Sequence, residues 1–437
     1  MTQTVPHGAL PQNSTGEATG KPTLRRRKRM RWLVVGLIGG ALLVWQWKHV
    51  WPVIPNWRAS VALKNRDTEA ATFWLQTAEL GVSDHPETAF LRARCQRRLR
   101  DFVGVRRSLE KAFECGVPKQ RLEREQWLTL AQIGQMREAE PHLPELFGNP
   151  GDDVDEICEA YSSGYFLLHR YGDAMSVLDA WLADYPENSY ALLLRARVNH
   201  HLHSYHEAEK DLRSAVTFSP GLAEAHLELA EVLRVTKRPD EALPHYARCF
   251  GDAKVGVQAR IGHGISLKML GQTDLAREQL AQIVAQHPDH PHAVYELGLL
   301  ELEAGDAQSA VAHLQRIKEI NPANLEARNG LAQALQLCGR QSEAVAELAL
   351  VDEAWRVSQK IQALEDKSRA NPANVEVRFE LGQVLFQIGR RGEGASWLQS
   401  VLEISPGHSE SRRMLDDYLS APPPSTNPQP QQPPSKN

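Results

Sequence analysis

From His226 to Cys249 the chain reads HLELAEVLRVTKRPDEALPHYARC, and from Val294 to Pro322 it reads VYELGLLELEAGDAQSAVAHLQRIKEINP. The second stretch starts 68 residues after the first, and each sets a small residue (Ala230, Gly298) inside one apolar run and another (Ala242, Ala310) inside the next. The prolines keep the same interval. Pro186 to Pro220, Pro288 to Pro322 and Pro372 to Pro406 are each 34 residues, and Pro220 to Pro288 is twice that. A fixed period of 34 indicates stacked helix–turn–helix units, each of which buries its apolar face only against a neighbour.

Seven windows align on this period, beginning at 155, 189, 223, 257, 291, 325 and 375. Position 8 holds Ser162, Ala196, Ala230, Gly264, Gly298, Ala332 and Gly382, and position 20 holds Ala174, Ala208, Ala242, Ala276, Ala310, Ala344 and Gly394. Small side chains at both places let two antiparallel helices approach closely. Position 24 is large in every window: Leu178, Leu212, Tyr246, Leu280, Leu314, Leu348 and Leu398. Gly271, Gly305, Gly339 and Gly389 stand at position 15, where the first helix ends and a left-handed cap is needed. Proline at position 32 closes the second helix.

On these residues the windows resemble tetratricopeptide repeats. The resemblance runs from about 155 to 356 and from 375 to 408, with departures: position 4 is rarely Trp, Arg195 and His263 stand where Leu is usual, and Lys254 and Arg356 replace the proline. It implies an all-α fold, a right-handed superhelical solenoid of about nine to ten helix–turn–helix units. Residues 57–154 read as degenerate repeats, with a helix over 66–80 capping the array, and 155–358 as the array proper. SEAVAELALVDEAWRVSQKIQALEDKSRA, from Ser342 to Ala370, has neither Pro nor Gly, and the window after 325 starts 16 residues late. That spacing predicts one second helix lengthened by about four turns, with 359–374 as the extension. The final repeat and its cap occupy 375–420, and 421–437 (seven prolines in 17 residues) reads as a disordered tail.

At the other end, residues 1–31 form a basic segment holding seven of the chain's Lys and Arg and one acid, Glu17, for +6. With a formal charge of −4 overall, the rest of the 437 residues carries −10. RRRKRMR leads into WLVVGLIGGALLVWQW, 16 uncharged residues from Trp32 to Trp47 that extend to Trp51 as a transmembrane helix with tryptophans at both ends. Bulky WQWKHVW offers no small-residue cleavage site, which argues against a removed signal peptide. Bases outnumber those after the span by seven to four, counting Lys48, Arg58, Lys64 and Arg66 on the far side. The expectation is a single-pass protein contacting the bilayer through 32–51, with its N-terminus cytoplasmic and its repeats extracytoplasmic, in a bacterial inner membrane.

The mildly acidic body argues against nucleic-acid binding. Five cysteines without a CxxC pair exclude a disulfide scaffold or a Cys-rich zinc domain. With no GxxxxGK[ST], GxSxG or HExxH motif, no small-molecule substrate or cofactor is evident and an enzyme is not expected. The densest cluster of metal-ligand side chains is His200, His201, His203 and His206, with Glu207 beside it. It supports an alternative reading as a metal-binding envelope protein, although no metal is expected. The other alternative keeps the repeats but turns them to the cytosol, as a receptor on an organelle surface.

The resemblance also implies that function resides on the concave face formed by the first helices. There the chain offers Tyr190, Arg197 and His201, then Glu231 and Arg234, then Tyr295, Asn329, Gln333 and Phe379, as a groove for partner proteins or peptides. The family's clamp for a chaperone tail needs Lys and Asn at positions 5 and 9. Leu193 and Arg197, or Leu227 and Glu231, stand there instead. The architecture is similar to that of bacterial envelope scaffolds in assembly or secretion complexes.

Overall fold

The computed structural model describes residues 51–320 and 324–420, and every regular element in them is helical. The chain divides into two compact units, one ending at Glu125 and the other beginning at Gln126. Apart from Trp51, the span expected over 32–51 lies outside the described residues, as does the tail from 421. Among the described residues no helix is long and apolar enough to cross a membrane.

The first unit opens with α1 (Val53–Lys64) and α2 (Thr68–Gly81), followed by α3 (Pro86–Arg98) and α4 (Phe102–Glu114). Asp67 caps α2 through Ala70 N at 2.8 Å, and Asp101 caps α4 through Gly104 N at 2.9 Å, satisfying donors a helix leaves open at its start. Ala59, Ala62 and Leu63 of α1 bury against Ala71 and Leu75 of α2. The helix expected to cap the array over 66–80 is therefore the second member of a pair, because α1 precedes it. Arg97 and Glu125, almost wholly buried, are joined at 2.6 Å.

Helix α5 (Lys119–Gln132) and the short α6 (Met136–Ala139) and α7 (Leu143–Gly148) lead to seven complete pairs. These are α8 (Val154–Leu167) with α9 (Tyr171–Asp184), α10 (Ser189–His201) with α11 (Tyr205–Phe218), and α12 (Ala223–Val235) with α13 (Pro239–Arg248). Then come α14 (Gly256–Met269) with α15 (Thr273–Gln286), and α16 (Pro291–Glu303) with α17 (Ala307–Ile320). The series ends with α18 (Leu325–Leu337) on α19 (Gln341–Ala370), and α20 (Val375–Gln387) on α21 (Arg391–Ile404), before a last helix, α22 (Ser409–Ser420).

The periodic positions supply the core of this unit. All six alanines at position 20 are fully buried, as are Leu178, Leu280, Leu314 and Leu398 at position 24. Position 8 is small for a reason more specific than two small residues meeting. A Cβ on Gly298 would lie 2.9 Å from Leu314, and one on Gly382 would lie 2.6 Å from Leu398. The large side chain at 24 occupies the room left at 8, so the two positions are coupled.

Helix starts follow the second residue after the turn proline. Asn188, Asn324 and Asn374 at position 34 accept from the backbone N–H of Ala191, Ala327 and Val377, at 3.0, 2.9 and 3.1 Å. His290 does the same for Ala293. First-helix ends use a left-handed residue with a bond back over five positions, as in Arg390 N to Leu385 O at 2.9 Å past Gly389. Three windows lack the glycine: His169, His203 and Lys237 take φ of 58°, 60° and 65° at the equivalent place.

Candidate functional site

A non-glycine residue in the left-handed region is strained by about 1–2 kcal/mol, so His169 at that cap needs a compensating contact. It has one in a distant repeat. The imidazole stacks on the Trp397 indole, ring centres 3.7 Å apart and planes within 8°, and its Nε2 lies 3.3 Å from Ser396 Oγ. Its Nδ1 is 2.8 Å from the Tyr171 hydroxyl. Next to this stack, Arg378 of α20 is 1% exposed; its Nη1 donates to Leu168 O at 3.0 Å and its Nε to Pro372 O at 2.6 Å. Gln399 of α21 adds a bond to Ile133 O at 3.1 Å. The last repeat of the second unit therefore packs against the turn between α8 and α9, and the unit closes on itself.

Closure leaves a half-open cavity of about 1120 Å³. One wall comes from α9 to α12 and carries Tyr171, Arg197, His200, His201, Tyr205 and Glu228; the other comes from α19 to α21 and carries Glu365, Arg369, Arg378, Glu393 and Trp397. Arg197 Nε donates to Glu228 Oε1 at 2.8 Å, and His201 Nε2 lies 2.5 Å from the Tyr171 hydroxyl. Burial would raise Glu228, but hydrogen bonds from His200 and Arg197 outweigh it and hold the carboxyl below its usual range. Burial, with Arg378 and His201 close by, pushes His169 down to about 3, and burial raises Glu365. His201 is lowered as well, by burial and then by Arg369 and its neighbouring imidazoles. The walls thus pair aromatic surface with arginines and carboxylates, and burial disfavours the charged forms of His169 and His201.

Of the nine groove residues expected from the sequence, Arg197 and His201 line this cavity. Tyr190 turns its hydroxyl to Glu159, 3.3 Å away. Glu231 binds both Arg234 and the Tyr246 hydroxyl, at 2.6 and 2.9 Å, forming a closed network within its own repeat. Tyr295 is half-buried against the core between α16 and α18, Asn329 is half-buried and Gln333 exposed. Phe379 differs from the expectation: at 9% exposure it packs on Leu398, Val401 and the His408 ring beneath α22, so it presents no open face.

The four imidazoles of 200–206 do not converge. His200 faces Glu228, His201 meets Tyr171, His203 Nδ1 lies 2.9 Å from the Tyr205 hydroxyl, and among the described residues no group of three His, Cys, Asp or Glu is placed to hold a metal ion. Sequence reasoning missed His169, Arg378 and Trp397. Neither of the first two stood out in its column, since position 15 also holds His203 and Lys237 and position 4 also holds Arg260 and Arg328.

Two tetratricopeptide-repeat family profiles match the chain, one over 165–223, 261–324 and 361–409 and the other over 301–367. The chain carries tetratricopeptide repeats. Their windows fall on α8 to α11 and on α14 to α21, and leave out α12 and α13. No curated protein matches the chain. Similar solved structures include PilW, a type IV pilus biogenesis factor, at 21% identity over 47% of this chain and 96% of that one, with a TM-score of 0.44. Pseudomonas aeruginosa PilF is similar at 16% identity over 52% and 97%, TM-score 0.35. YrrB, described as a repeat protein with an unusual peptide-binding site, is similar at 22% identity over 39% and 88%, TM-score 0.34.

Proposed function

We propose that this chain is a membrane-anchored, non-enzymatic scaffold whose tetratricopeptide repeats hold a segment of a partner protein, in the assembly or secretion machinery of a bacterial envelope. The observation that carries the reading is the half-open cavity left by closure, with Tyr171, Tyr205 and Trp397 interleaved with arginines. Aromatic side chains and Arg dominate binding energy at protein interfaces, and an extended segment is the ligand that a cleft between helices accommodates. The uncharged run from Trp32 to Trp47, behind six bases in seven residues, supports an anchor with the N-terminus cytoplasmic and the repeats on the far side.

Crosslinking of the tagged full-length chain in its native membrane tests this. Partners should be lost from Arg197→Glu/His201→Ala and retained in Asn329→Ala/Gln333→Ala, which lies away from the cavity. Equal retention in both variants refutes the cavity as the recognition site. Protease protection of the repeats in sealed vesicles separates the extracytoplasmic arrangement from a receptor that displays them to the cytosol.

A further inference from the structure

Helix α1 is apolar on two sides. Ala59, Ala62 and Leu63 are buried in the core of the first unit, yet Val53, Ile54, Trp57 and Val61 are 56, 64, 63 and 38% exposed. At about 100° per residue these four exposed side chains fall within an arc of roughly 100°, a continuous stripe along the helix. Scattered exposed apolar residues are ordinary on a soluble surface, but a stripe of four, including an indole, marks a contact surface.

We propose that this outer face of α1 lies in the lipid–water interface of the membrane, with anionic headgroups against Arg58, Lys64 and Arg66. The inference rests on the anchor reading above and adds a second, peripheral contact to it. Three observations select lipid as the occupant. No Asp or Glu occurs between Glu17 and Asp67, while Lys48, Arg58, Lys64 and Arg66 fall in that interval. A basic stretch beside an apolar stripe complements an anionic leaflet. Trp47, the end of the uncharged run, precedes Val53 by six residues, so the start of α1 stays within about 22 Å of it even when the link is fully extended. Trp57 sits in the middle of the stripe, and an indole, apolar in body with one N–H, is the side chain that prefers the headgroup level.

The test reconstitutes the full-length chain in vesicles of phosphatidylethanolamine and phosphatidylglycerol that contain a photoreactive lipid with its diazirine near the headgroup. Adducts are mapped by mass spectrometry. Adducts are expected on Val53, Ile54, Trp57 and Val61 and not on Ala59, Ala62 or Leu63. Exchanging phosphatidylglycerol for phosphatidylcholine should lower the α1 yield about fivefold. Trp57→Ser/Val61→Ser should also lose the α1 adducts at an unchanged melting temperature, since both side chains are exposed. Adducts confined to Trp32–Trp47 would leave the anchor standing and overturn the α1 contact. Adducts on neither segment would overturn both.

Discussion

The early repeats of the second unit and its middle repeats solve the same packing problem with different side chains. From Leu128 to Ala259 a single continuous core runs through α5 to α14, with Tyr161, Trp181 and Tyr246 fully buried. Between Ile261 and Ala344 the core separates into two smaller clusters made largely of Ala, Leu, Ile and Val. Left-handed caps divide along the same line: His169, His203 and Lys237 in the early repeats, Gly271, Gly305 and Gly339 in the middle ones. The middle repeats are close to a minimal statement of the motif. In the early repeats, two of the three strained caps are histidines that line the cavity. The departures from the pattern, not the pattern, gather at the cavity.

Arg378 offers the most severe way to break this contrast. Arg378→Met removes two buried, charge-assisted bonds and leaves Leu168 O without its donor; a loss of about 3 kcal/mol is expected in thermal or urea unfolding. Arg260, which stands at the same position in a middle repeat and is half-buried, should tolerate Arg260→Met with under half that loss.

Acid is the next lever. His169 titrates near 3 in the folded chain against an ordinary value of about 6.5, so between those limits the unfolded chain binds more protons. Stability is therefore complete above about pH 6.5 and falls as the pH drops toward 3, by as much as about 2 kcal/mol at pH 5. His169→Asn tolerates the left-handed backbone but does not titrate, and should flatten this part of the pH profile of the melting temperature. An unchanged profile would assign the acid sensitivity elsewhere, with His245, lowered to about 4 by burial and His226, as the next group to vary.

The caps give a smaller and sharper test. Lys237 is exposed, so Lys237→Gly relieves backbone strain and should stabilise by about 1 kcal/mol. Gly339→Ala meets no neighbouring atom and should destabilise by about as much through φ alone. His169→Gly gains the same relief but forfeits the Trp397 stack, for a net change near zero or a loss. If His169→Gly stabilised as much as Lys237→Gly, the stack would carry no weight. At the small end, Asn324→Ala removes a single N-cap bond, for about 1 kcal/mol or less.

The repeat itself was legible in the sequence because position 8 must leave room for position 24, and that coupling recurs on a strict period. The long helix was legible too, since nothing between Ser342 and Ala370 breaks a helix. The site was only half legible. Arg197 and His201 sit on a first helix where the resemblance places recognition, but Glu231 and Arg234 are tied into a local network, Tyr295 and Phe379 pack on core, and Asn329 and Gln333 lie away from the cavity. Closure was invisible because it depends on contacts more than 200 positions apart, such as Arg378 to Leu168, which no 34-residue period encodes.

Helix α19 sets the phase of the closing repeat. Its 30 residues exceed the 14 of α9, α11, α15, α17 and α21 by the same 16 by which the next window is late. Sixteen residues are about 24 Å and about four and a half turns. The following repeat is thus set further along and rotated by nearly half a revolution from the orientation that simple stacking would give it. A whole number of turns would have handed α20 on in register, as one more layer. Contact of α20 with the α8–α9 turn therefore depends on the length of α19, and shortening that helix by two residues should upset it more than shortening it by a full turn.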